Sequence, residues 1–244
     1  MVAEAALEIR IECDSGPESV AVTMRTPGAD RELAIGFLFA EGLINAGADV
    51  TDVISADDSV TVALDNGRAS TLRGLERHFV ATSSCGVCGK SGLEQLAALP
   101  VAQVGDGFHI QASVLMELPA RLRASQEVFS ATGGLHAAAA FDADGALIAV
   151  REDIGRHNAI DKLVGWALTT GAVPFSGALV LVSGRASFAV IQKCLRAGVP
   201  LVAAVSAPSS LAIETARANG QTLVGFLSGA RFNVYCHPER IAGL

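Results

Sequence analysis

The sequence predicts an α/β protein: a mixed sheet with helices on both faces, plus a smaller N-terminal α+β domain. Three observations carry this. From about residue 135 onward, short apolar runs alternate with stretches at the helical period, which implies a partly parallel sheet covered on both sides. Before residue 80, strand-like runs are separated by turn clusters, with one helical stretch among them. Half of the 244 residues are hydrophobic and 18% are charged, enough to bury a sizeable core. Aromatic residues make up only 5%, so that core must be aliphatic and rich in alanine.

The elements follow in order. Leu7 to Glu12 and Val20 to Arg25 read as strands around the turn cluster Asp14-Ser15-Gly16-Pro17. Asp30 is placed to cap a helix carrying Leu33, Ile35, Phe37, Leu38 and Phe39, with Gly42 at its end. Val50 to Ser55 and Val60 to Leu64 are strands around Asp57-Asp58, and Asn66-Gly67 is a turn. A cysteine-bearing loop follows, then a short helix near Leu93 to Leu99 and a connector from Pro100 to Gly107. Ser113 is placed to cap a helix from Val114 to about Ser125.

The pattern then changes. Leu135 to Phe141 and Ala146 to Arg151 are strands joined by Asp142-Ala143-Asp144-Gly145, a hairpin signal. Ile160, Leu163, Val164, Ala167 and Leu168 fall at i, i+3, i+4, i+7 and i+8, one face of a helix. Strand 178–183, helix 187–197, strand 200–205, helix 209–219 and strand 222–227 complete the alternation. This order of helix, hairpin and repeated helix–strand units resembles the cytidine-deaminase-like fold. The expected division is a small N-terminal α+β domain over 1–80, a reactive cysteine loop and connector over 81–112, and the cytidine-deaminase-like α/β domain over 113–244.

The net charge of −7 argues against nonspecific binding to nucleic acid or to an anionic membrane face. The first residues carry neither a basic n-region nor an apolar h-region, so no signal peptide is expected. No apolar run approaches the ~20 residues of a membrane span. The five cysteines, Cys13, Cys85, Cys88, Cys194 and Cys236, are odd in number and unevenly spaced. A reducing cytoplasm fits them better than a disulfide framework. Cys13 and Cys194 read as ordinary buried thiols, Cys194 because it lies on an amphipathic helix.

Chemistry concentrates in two places. The first is Ser83-Ser84-Cys85-Gly86-Val87-Cys88-Gly89-Lys90. Small residues leave both sulfurs uncovered, and a reactive thiol needs a partly exposed thiolate. The pair has three readings: a thioredoxin-type redox couple, half of a zinc site, or a sulfur-carrying thiol. Thioredoxin sets its pair directly ahead of a helix, whereas glycines and serines here make a loop. Zinc needs four ligands, and Cys236-His237 is the only other local pair, so no tightly held metal is expected. The His-x-Glu and Pro-Cys-x-x-Cys signatures of zinc deaminases are missing from the corresponding helix starts, Asp153 to His157 and Gly184 to Phe188.

The second place is a set of four segments rich in Gly, Arg, His and Asn: Ala131 to His136, Arg151 to Lys162, Ser183 to Phe188 and Gly225 to Arg231. The second and third lie where a strand ends and a helix begins, and the fourth follows the last long strand. Ligands of open α/β sheets bind at such strand ends. Glycine admits a ligand to the backbone, and helix N-termini attract phosphates. Arg156, Arg185 and Arg231 are placed to bond an anion. The bland readings are ordinary strand-to-helix turns and, for His157, a structural histidine.

Ser84-Cys85-Gly86-Val87-Cys88-Gly89, Thr132-Gly133-Gly134-Leu135-His136, Arg151 through Lys162 and Ser183 through Phe188, in this order, resemble the formate dehydrogenase accessory sulfurtransferase family (FdhD). So do Leu33 through Gly42 and Arg231 through Tyr235, and the likeness runs over nearly the whole chain. The resemblance implies a sulfurtransferase. It would take persulfide sulfur from a cysteine desulfurase and deliver it to the molybdenum bis(molybdopterin guanine dinucleotide) cofactor, bound as substrate, for formate dehydrogenase. Cys85 corresponds to the family's persulfide cysteine, with Cys88 assisting. Phe226, Leu227, Ser228, Gly229, Ala230 and Arg231 correspond to its cofactor segment. Arg156, His157, Gly184 and Arg185 join that set from the strand-end reading. The resemblance also implies a homodimer. A nucleotide-binding thiol–disulfide oxidoreductase and a non-catalytic cofactor chaperone are the alternatives.

Overall fold

The computed structural model describes residues 1–14, 16–65, 79–80, 104–105 and 107–244. The turn at 66–67, the cysteine loop, the helix near 93–99 and most of the connector after Pro100 lie outside the described residues.

The first sheet has five strands: β1 (Ala5–Cys13), β2 (Gly16–Arg25), β3 (Val50–Ser55), β4 (Ser59–Leu64) and β5 (Phe79–Val80), in the order β3-β4-β1-β2-β5. β1 and β2 form an antiparallel hairpin, while β4 lies parallel to β1. Leu7, Ile9 and Ile11 alternate inward from β1, and Val60, Val62 and Leu64 from β4. Helix α1 (Asp30–Ala40) covers that apolar face and buries every residue from Leu33 to Ala40. It departs from expectation at its start. Ala29, in the left-handed region at φ 55°, precedes the first turn, and Asp30 instead pairs with Arg25 through two hydrogen bonds of 3.0 and 2.9 Å.

The second sheet is built from β7 (His136–Phe141), β8 (Leu147–Asp153), β9 (Leu179–Val182), β10 (Leu201–Ala204), β11 (Thr222–Gly225) and β12 (Asn233–Cys236). Its order is β12-β11-β10-β9-β7-β8. β9, β10 and β11 are parallel, and the outer strands pair antiparallel. Alternate residues point to opposite faces, and both faces are buried. Ala138, Ala140, Val180, Val182, Val202 and Ala204 pack with helices α4 (Arg156–Thr170), α5 (Phe188–Arg196) and α6 (Ser210–Ala218). Ala137, Ala139, Phe141, Leu181 and Ala203 face Leu115, Leu118 and Leu122 of α2 (Ala112–Ser125) on the other side. A short helix α3 (Glu127–Thr132) and a two-stranded pair, β6 (Ile110–Gln111) with β13 (Ile241–Ala242), complete the described fold. The N-cap of α2 is Gln111 rather than Ser113, because β6 runs directly into the helix.

The two sheets share one hydrophobic cluster. Leu7, Ile9, Val60 and Val62 of the first belong to the same buried group as Leu163, Val180 and Val202 of the second. The joint is the crossing of α1 on α4. A methyl group on Gly36 would overlap the carbonyl oxygen of Asp161, and one on Gly165 would overlap that of Glu32. Only glycine lets the two backbones approach so closely.

Candidate functional site

The Arg151–Lys162 segment separates into two sets of side chains with different tasks. Asp153 ends β8 fully buried. One carboxylate oxygen accepts from the Thr26 N–H at 3.1 Å and pairs with Lys162 Nζ at 2.7 Å. The other accepts from the Gly155 N–H at 2.8 Å and from Asn158 Nδ2 at 3.0 Å. Asn158 also donates to the Met24 carbonyl at 2.8 Å, and Lys162 to that of Thr26 at 2.8 Å. Arg151 reaches Glu32 at 2.5 and 2.7 Å. Glu152 accepts from the N–H groups of Val128 and Phe129, at 3.0 and 2.9 Å, and so caps α3. Asp161 is gripped by Lys193 at 2.6 and 2.8 Å. Burial pushes the Asp161 carboxyl up to about 6, against the pull of Lys193. These groups tie β8 to α1 and α3, and α4 to the end of β2 and to α5.

Arg156 and His157 lie on the first turn of α4, at the end where β9, β10 and β11 finish. The loops after those strands join edge to edge. The Ser206 N–H donates to the Gly184 carbonyl at 3.4 Å, and the Ser209 N–H to that of Ala186 at 3.0 Å. The Phe226 N–H donates to the Ser206 carbonyl at 3.2 Å, and the Leu227 N–H to that of Ala204 at 3.0 Å. The middle loop, 205–209, escaped the sequence reading. Its signal was its position, since it sits between a strand and a helix just as 183–187 does. Gly155 and Ser187 are the N-cap residues of α4 and α5, and neither makes a side-chain cap hydrogen bond.

His136 comes to this edge by register. Ala138 of β7 pairs with Val182 of β9, which sets His136 beside Gly184. A Cβ on Gly184 would stand 3.3 Å from His136 Nδ1 and 3.9 Å from Arg156 Cδ, so the glycine leaves the space that the ring and the guanidinium stem approach. Burial lowers the His136 pKa first, then the charges of Arg156 and Arg185, with Asp153 opposing. His157 is buried more deeply, and its Nε2 sits 3.3 Å from Ser187 Oγ. Burial, with Lys193 and Arg156 adding repulsion, pushes it down to about 3, so the ring is neutral in ordinary solution.

Among the remaining predicted residues, Phe226 holds a left-handed backbone at φ 52° and leaves its ring 47% exposed. A bulky side chain in that conformation is strained, and such strain clusters at functional sites. Leu227 is buried in the core beneath, which leaves its backbone as the part able to meet a ligand. Ser228 closes a tight turn: its N–H donates to the Arg231 carbonyl at 2.9 Å. Gly229, Ala230 and Arg231 are exposed. Cys85 and Cys88 lie outside the described residues. Cys194 is buried and its thiol is pushed up to about 12 by that burial, whereas Cys13 is half-buried. Among the described residues, no three His, Cys, Asp or Glu side chains are arranged to hold a metal ion, and no helix is long and apolar enough to cross a membrane.

A basic, glycine-lined edge at the ends of three parallel strands thus belongs to a chain whose sequence also carries Cys85-Gly86-Val87-Cys88. The family model of the FdhD/NarQ family matches residues 2–242. The chain belongs to the FdhD/NarQ family. It is 48% identical to a sulfur carrier protein FdhD of Streptomyces coelicolor over 255 residues, covering 99% of this chain and 89% of that one. It is 42% identical to a sulfur carrier protein FdhD of Sulfolobus acidocaldarius over 237 residues, covering 97% and 90%. A crystal structure from Desulfotalea psychrophila, described as a formate dehydrogenase accessory protein, superposes with a TM-score of 0.77 at 25% identity, over 98% of this chain and 89% of that one. In this FdhD/NarQ chain, then, the basic edge and the polar tie share a single twelve-residue segment.

Proposed function

We propose that this chain is a sulfur carrier with sulfurtransferase activity. It takes persulfide sulfur from a cysteine desulfurase and delivers it to the molybdenum bis(molybdopterin guanine dinucleotide) cofactor, its substrate, for a formate dehydrogenase. The Cys85 thiolate attacks the outer sulfur of the desulfurase persulfide; a new S–S bond forms on Cys85, and the desulfurase thiolate leaves. Cys88 assists the onward transfer. The single observation that carries the cofactor half of this reading is the convergence of Arg156, Gly184 and His136 at the joined strand-end loops. The phosphates of the dinucleotide are placed at Arg156 and Arg185, beside the starts of α4 and α5. The guanine is placed along Phe226 to Arg231.

Within this proposal the division of the chain also acquires a sense. The unit 113–244, read as a cytidine-deaminase-like α/β domain, holds the cofactor. The segment 81–112 carries sulfur to it, and the unit 1–80 braces α4. A homodimer in the cytoplasm, where thiols stay reduced, suits the same chemistry.

Incubating the protein with a desulfurase and free cysteine should add about 32 Da, one sulfur, to Cys85. Cys85→Ala should abolish both the adduct and the activation of a formate dehydrogenase, while Cys88→Ala should lower activation less. Full activation by Cys85→Ala would sink the sulfurtransferase reading.

A further inference from the structure

His136 belongs to the Ala131–His136 segment and stands inside the site, but no role has been given to its ring. Its ring meets the space above Gly184, and the charges that reach it come from three segments. Arg156 and His157 come from α4, Arg185 from the β9–α5 loop, and Asp153 from the end of β8. Asp153 is already paired with Lys162, so the facing charge that remains in the cleft is positive. His157 stays neutral down to about 3. A half-buried imidazole that feels the charges of two guanidinium groups resists a proton. An anion reverses that balance, because its charge offsets the arginines and favours the imidazolium.

We propose that His136 is a third anion-binding residue of this cleft, and that it takes up a proton from solvent as the pyrophosphate of a guanine dinucleotide settles between Arg156 and Arg185. The inference rests on the anion-site reading above. It adds a regulation of that site: binding tightens as pH falls, and release is favoured as pH rises. The ligand phosphates are diester-linked and keep their charge across the neutral range, so the proton has to go to the protein.

Guanosine diphosphate mannose is a suitable probe, because its pyrophosphate is a diester and does not itself titrate near neutrality. Calorimetric titrations from pH 8 to pH 5.5 should show wild-type affinity rising, by up to about tenfold for each unit by which the ligand raises the ring's pKa. His136→Asn should bind with a flatter curve. Asp161 and His157 are present in both forms, so the difference between the curves reads the His136 ring. Titrating wild type in buffers of different ionisation enthalpy gives a measure that needs no variant: binding should take up a fraction of one proton. Parallel pH curves for wild type and His136→Asn, or no proton uptake by wild type, overturn the inference and leave the anion site standing. No binding by wild type at any pH overturns both.

Discussion

The two halves of the Arg151–Lys162 segment differ in the fate of their charge. At Asp153, Asn158 and Lys162 every polar group is turned inward and matched across elements; Lys162 is 2% exposed and Asp153 fully buried. At the strand-end edge, the charges of Arg156 and Arg185 both bear on the His136 ring. The first half holds the second in place, since Gly155 sits between Asp153 and Arg156 with its N–H fixed by the Asp153 carboxylate. On the proposed reading, an anion bound there offsets the repulsion among these cations.

That contrast can be broken from either side. Asp153→Ala should have the largest effect. It leaves the Lys162 ammonium buried without its carboxylate and frees the Thr26 and Gly155 amides, at a cost of about 3–5 kcal/mol. Urea unfolding should show the midpoint falling accordingly, and a loss under ~1 kcal/mol would mean that the pair is not the tie described here.

Acid should attack the boundary between the halves. An unfolded histidine ionises near 6.5, but folded His157 does so only near 3. The unfolded chain therefore takes the proton first, and stability contributed by the neutral ring is lost as pH falls from about 6.5 toward 3. Between pH 7 and 5 this one residue should cost about 2 kcal/mol. His157→Gln should show a shallower decline of melting temperature over that range. Equal declines would assign the acid sensitivity elsewhere.

The smallest stability effect belongs to the open edge. Arg185 is exposed, so Arg185→Ala should change unfolding by no more than ~0.5 kcal/mol. It should nevertheless weaken binding of guanosine diphosphate roughly tenfold, the worth of one charge-assisted bond. A variant that destabilises the fold and leaves binding intact would reverse the comparison.

Much of this was legible in the residues. The helix marked by Ile160, Leu163, Val164, Ala167 and Leu168 buries all five, because periodicity is a local signal. The strand-end position of Arg156 and Gly184 followed from the same alternation. What stayed hidden was non-local. Nothing near Asp153 announces Thr26, and nothing near Asp161 announces Lys193, so the tie read as a ligand segment throughout. Helix α3 was missed because its cap is the Glu152 carboxylate, supplied from another strand. Asp30 looked like a cap until Arg25 claimed it. His136 belonged to a recognised motif, but its place beside Gly184 depends on the register of β7 against β9.

The glycine crossing of α1 and α4 also sets an order of events during synthesis. The apolar face of the N-terminal sheet and its cover α1 leave the ribosome early, yet the helix that α1 packs against arrives late. Glu32 waits 119 residues for Arg151, and the Ile44 carbonyl waits 152 for Arg196. Contacts so distant in the chain close slowly, because the loop entropy is spent before they form. Until α4 emerges, Leu7, Ile9, Val60 and Val62 have only α1 to shelter them. The first third of the chain is thus a guest of the last two thirds: made first, finished last, and exposed to wrong partners for most of its own translation.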